Sequence, residues 1–75
     1  MAKHLIMDHT GHTTVEFDKN NTADLDAAVA RFNALRKSGH IAGTRKTGEA
    51  EYHGPVKDFG DTEDETLFTT ARQAG

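Results

Sequence analysis

Imidazoles and carboxylates gather in the first seventeen residues, where His4, Asp8, His12 and Glu16 are side chains able to bind a metal ion or share charge-assisted hydrogen bonds. Five histidines in 75 residues is a high count; His9, His40 and His53 complete it, with nothing in the sequence to bring those three together. A zinc site needs three or four converging ligands at about 2.0–2.2 Å. Other reaction chemistries find less support. There is no cysteine nucleophile, no Ser/His/Asp arrangement with elbow glycines and no glycine-rich phosphate loop. The carboxylates between Asp61 and Glu65 read as a solvated acidic turn. A small core also offers few walls for a catalytic pocket. The expectation is a non-enzyme with no catalytic or cofactor-binding residues.

Whether the four hairpin residues act together depends on register. Asp8-His9-Thr10-Gly11 lies between Leu5-Ile6-Met7 and Thr13-Thr14-Val15-Glu16-Phe17, the pattern of a β-hairpin. Gly11 tolerates positive φ cheaply, and Asp8 at the first turn position can accept a backbone N–H. A three-residue loop at His9-Thr10-Gly11 pairs Asp8 with His12, Met7 with Thr13 and Leu5 with Val15. Leu5, Met7, Val15 and Phe17 then share one face, and His4, Ile6, Asp8, His12, Thr14 and Glu16 share the other. A slip of one residue would reverse that separation. In this register His4 also lies across from Glu16, but Ile6 and Thr14 separate the two acid–imidazole pairs. The expectation is a polar face of ion pairs with no metal, His4, Asp8, His12 and Glu16 being the candidate ligands if one binds.

Composition narrows the partners. Twelve acidic and nine basic residues leave a formal charge of −3, against the basic surplus that nonspecific nucleic-acid binding requires. Arg45-Lys46, with Lys57 and Arg72, reads as exposed charge guarding sheet edges rather than a phosphate-facing patch beside Tyr52. No apolar run approaches a membrane span, and no signal-peptide core opens the sequence. The absence of cysteine suits a reducing compartment, so a cytoplasmic location is expected. With 35% hydrophobic residues and no disulfide, a single domain of this length sits near the limit of self-sufficient stability. Support from a protein partner or a homo-oligomer is therefore expected.

Beyond the hairpin, Thr22 reads as an N-cap, with Asp24 and Asp26 in the first turn of a helix over about 23–38. Leu25, Ala28, Val29, Phe32 and Leu35 form its apolar stripe, and Gly39 closes it. His40 to Lys46 reads as a strand and Thr47-Gly48 as a turn. Glu49 to His53 is expected to pair back, Gly54-Pro55 to break the chain, and Val56 to Phe59 to form a short strand. Asp61 is expected to cap one helical turn, and Leu67 to Thr70 to form the last strand. The order ββα followed by two to four short strands predicts an α+β fold, one helix on a mostly antiparallel sheet. A β-grasp-like roll is favoured over a simpler two-layer plait.

Asp8-His9-Thr10-Gly11-His12-Thr13, Glu16-Phe17-Asp18 and Phe32-Asn33-Ala34-Leu35-Arg36-Lys37-Ser38-Gly39 together resemble a group of small proteins encoded in tailed-phage and prokaryotic genomes. These share a D-x-T-G-x-T hairpin, an aromatic-Asp step and a helix ending F-x-x-L-R-x-x-G, often followed by a Phe-Asp-type segment and terminal glycines. Phe59-Gly60-Asp61 and Ala74-Gly75 are similar. The resemblance implies no activity and carries over no site residues. The ending Ala-Gly, in place of Gly-Gly, argues against conjugation through the tail. The functional expectation is a phage-type structural or accessory protein, such as a minor capsid, cement or tail component, cytoplasmic in the host cell or virion-associated. A ubiquitin-like or inhibitor-like module and a histidine-based metal-binding domain are the alternatives. Contacts are expected from Ile6, His4 and Thr14 on the outer hairpin face, and from Leu67, Phe68 and Arg72 in the C-terminal segment.

Overall fold

Asn21 starts the helix by local chemistry alone. Its side chain accepts the Asp24 N–H at 3.0 Å while its backbone stays extended, and α1 (Thr22–Lys37) begins at the next residue. The cap lies one residue before the expected Thr22, because the Asn21 amide oxygen itself reaches the third helical N–H. At the other end Gly39 adopts φ +99°, just beyond Arg36 and Lys37 in the last turn. Ala28 and Phe32 are fully buried, with Leu25, Val29 and Leu35 half-buried beside them, so the expected stripe is the packed face.

The computed structural model describes residues 2–8 and 11–70. It places α1 across a four-stranded mixed sheet in the order β2-β1-β4-β3, an α+β architecture compatible with a β-grasp-like roll. The strands are β1 (Ala2–Asp8), β2 (Gly11–Phe17), β3 (His40–Arg45) and β4 (Glu65–Thr70). The outer pairs are antiparallel, while β1 and β4 run parallel at the centre. No helix among the described residues is long and apolar enough to cross a membrane.

The hairpin register differs from expectation by one residue. Asp8 pairs with Gly11, Met7 with His12, Leu5 with Thr14, His4 with Val15 and Lys3 with Glu16. Two residues, not three, therefore connect the strands, and the faces of β1 exchange. Ala2, His4 and Ile6 lie towards α1, and Lys3, Leu5 and Met7 lie on the opposite side. The cause is the position of β1 between β2 and β4. A central strand carries apolar side chains towards both faces, so alternation of hydrophobicity does not reveal which face the helix covers.

Between β3 and β4 the expected strands give way to an irregular segment fastened at a few points. Glu49 to His53 contributes a single bridge, Thr44 to His53, with backbone bonds of 2.8 and 2.9 Å. Val56 is buried and donates its N–H to the Ala42 carbonyl at 2.8 Å, without forming a strand. A 3-10 turn spans Phe59–Asp61, and Asp61 ends that turn instead of capping one. This path delivers the Phe59 ring to the core. Phe32, Ala42, Val56 and Phe68 form one buried cluster, Ala2, Phe17 and Ala28 a second, and Phe59 packs against each. Its ring meets Phe32 edge-on with centroids 5.8 Å apart and Phe17 at 6.2 Å.

Candidate functional site

Because α1 covers one side of the sheet, strand alternation leaves three rows of side chains on the other. The first row is charged and runs Glu16, Lys3, Glu65, Arg45 across all four strands, each residue in register with the next. The second runs Thr14, Leu5, Leu67, Gly43. The third holds His12 beside Met7, and Thr69 beside Ile41. Met7 and Ile41, at 43% and 44% exposure, are the large hydrophobic side chains most open to solvent among the described residues, and Leu5 and Leu67 are half-buried between them and the charges.

Tyr52 extends this face beyond the sheet. Its Cβ lies 3.4 Å from where a Cβ of residue 43 would stand, so the missing side chain of Gly43 makes room for it. The Arg45 guanidinium sits 4.3 Å from the Tyr52 ring centroid and donates from Nε to Glu65 Oε1 at 2.7 Å. Lys3 Nζ approaches the other Glu65 oxygen at 3.9 Å. Burial raises the Tyr52 phenol above its ordinary pKa, keeping it neutral. Ile41, Gly43, Tyr52, Pro55, Leu67 and Thr69 surround a shallow hollow of about 310 Å³. The face thus joins an apolar floor, an aromatic rim and a border of alternating charge.

The expected metal candidates do not converge. His4 is fully buried among the Phe17, Phe59 and Phe68 rings, with centroids at 4.8, 6.2 and 5.0 Å. Its Nδ1 accepts from Arg31 Nε at 3.0 Å, and Nε2 is buried without a partner. Burial first, and the Arg31 charge second, lower its pKa to about 4, so the ring is neutral at pH 7. His4 therefore sits under the helix and not beside Glu16, which pairs with Lys3; Asp8 pairs with Gly11 and not with His12.

Of the expected contact residues, Thr14 and Leu67 lie together on the open face, on either side of Leu5. Ile6 is half-buried and packs against the core beneath α1, and Phe68 and His4 are fully buried, so none of the three lies on the open face. Their side of the sheet follows from the one-residue shift of the hairpin and from the parallel pairing of β1 with β4. Arg72 lies outside the described residues. Sequence reasoning missed Met7, Ile41 and Tyr52; the apolar strand position facing away from the helix was the available signal for the first two.

One histidine–carboxylate group does assemble, at residues not expected. The donor atoms of Glu49, His53 and Glu63 all lie within 4.8 Å of one another, with His53 Nε2 3.2 Å from Glu63 Oε2. Thr44 organises it: its backbone bridges to His53, and its hydroxyl oxygen accepts the Glu63 N–H at 2.7 Å. Lys46 Nζ lies 3.8 Å from Glu63 Oε1 and supplies positive charge there.

Comparison with protein-family models, with curated proteins and with solved structures returned no match.

Proposed function

We propose that the chain is a non-enzymatic protein-binding module that works through the open face of its sheet, as a structural or accessory component of the phage type, such as a minor capsid, cement or tail protein. The observation that carries this reading is the meeting of Leu5, Met7, Ile41 and Leu67 on one uncovered surface, rimmed by Tyr52 and bordered by charges. The hairpin and helix-end motifs that resemble small tailed-phage and prokaryotic proteins support the phage-type assignment. The formal charge of −3 favours a protein over nucleic acid as the partner.

The test is co-purification from cells that produce the tagged chain, comparing wild type with the double variant Met7→Asp, Ile41→Asp. Both substitutions lie on exposed side chains, so the far-UV circular dichroism is expected to stay unchanged. Wild type should elute with a protein partner or as a multimer, and the double variant alone. Identical behaviour of the two proteins would overturn the reading.

A second reading, cation binding, draws support from the Glu49, His53 and Glu63 cluster. Two carboxylates and an imidazole form a donor set suited to zinc, with Lys46 displaced when the ion enters. Calorimetric titration with Zn²⁺ tests it: one ion per chain, lost in His53→Ala, supports this reading, and no saturable uptake removes it.

A further inference from the structure

The charged row on the open face reads minus, plus, minus, plus from Glu16 through Lys3 and Glu65 to Arg45. Such a row is complementary to its own reverse. A two-fold axis lying between two stacked open faces, parallel to the strands and midway between β1 and β4, exchanges β1 with β4 and β2 with β3. It sets Glu16 against Arg45 of the other copy and Lys3 against Glu65, each contact occurring twice. Resting on the protein-binding reading above, we propose that the occupant of the open face is a second copy of this chain, docked sheet on sheet about that axis.

The apolar rows agree with the same operation. Leu5 falls opposite Leu67, and the exposed Met7 falls opposite Thr69, where it enters the hollow beside Ile41 and Tyr52. Aligned sheets pack with interdigitated side chains about 10 Å apart, so a projecting Met meeting a hollow is the required fit. Turning the axis perpendicular to the strands instead places Lys3 and Glu65 over Met7 and Thr69, where the second copy offers them no opposite charge in return for the water they lose. Of the two, only the axis along the strands sets every charge of the first row against an opposite one, with the exposed Ile41 falling opposite His12.

The size of the face sets the strength. Four strands about 4.8 Å apart and six residues long at about 3.3 Å each give a face of roughly 400 Å² in projection. That is small beside the roughly 800 Å² per partner of a standard interface, so the association is weak and concentration-dependent.

Sedimentation equilibrium tests the inference on the wild-type chain, on Lys3→Glu, on Glu65→Lys and on an equimolar mixture of the two variants, over concentrations from about 10 µM to about 1 mM, the range suited to weak association. Wild type is expected to pass from the 8.2 kDa chain mass to twice that value as concentration rises. Each single variant sets like charges against each other in the pair and should weaken the dimer at least ~10-fold, a modest loss for two repelling contacts. In the mixture the reversed charges again face opposite ones, so a mixed dimer should return. Met7→Lys, changed at an exposed position, should be monomeric throughout and serves if Glu65→Lys fails to fold. A wild type that stays monomeric to the highest concentration overturns the inference, as do single variants that dimerise like wild type. A monomer that still co-purifies with a heavier protein overturns the second copy alone and leaves the protein-binding reading intact.

Discussion

Arg31 donates its Nε–H to Nδ1 of His4 across 3.0 Å, and that bond holds a neutral imidazole beneath the helix. His4 occupies a core position on β1, among three phenylalanine rings, where its pKa falls to about 4.

The shift makes stability depend on pH. The unfolded chain takes up a proton near pH 6.5, while the folded chain resists until about pH 4. Between those values the unfolded state binds more protons, so stability is fully present above about pH 6.5 and is lost as pH falls towards 4, by about 1.4 kcal/mol per unit at most. Urea denaturation at pH 7 and pH 5 should show wild type losing stability that His4→Phe retains. Equal losses in the two proteins would contradict the burial of His4.

Phe32 is fully buried, with ring contacts to Phe59 and Phe68 at 5.8 and 5.6 Å. Phe32→Ala should therefore cost about 3–5 kcal/mol, through lost transfer energy and the cavity left behind. Chemical denaturation measures this directly, and a near-neutral result would mean that α1 does not pack as described.

Gly11 adopts φ +132°, and nothing stands within 4 Å of the place its Cβ would occupy. Gly11→Val should therefore destabilise through backbone strain and not through a clash, by roughly 1–3 kcal/mol. The comparison variant is Thr14→Val, exposed on the same strand and expected to be close to neutral. Equal stability of Gly11→Val and wild type would contradict the hairpin geometry.

The helix was legible in the sequence because its signals are local. A cap, an apolar stripe and a terminal glycine act within a few residues, and the shift from Thr22 to Asn21 changes nothing downstream. The final strand and the positive φ of Gly11 were legible for the same reason. The hairpin register was not. Leu5 and Met7 look like core residues and His4 like a surface one until β4 is known to pair beside β1, and Arg31 is known to cover the imidazole. Those are contacts over long sequence separations. The segment from 46 to 64 was equally opaque, since its course hangs on single anchors: the Thr44 hydroxyl, the Val56 N–H and the Phe59 ring. Of the open face, Thr14 and Leu67 were readable, whereas Tyr52 reaches it only through the space left by Gly43.

On the proposed reading, the open face of the sheet is where this chain meets another protein chain. A photo-crosslinking amino acid placed at Ile41 on that face, and at Asn33 on the exposed side of α1, tests it most directly in cells producing the protein. A discrete crosslinked product is expected from position 41 and none from position 33. No product from position 41, or the same product from both positions, would contradict it.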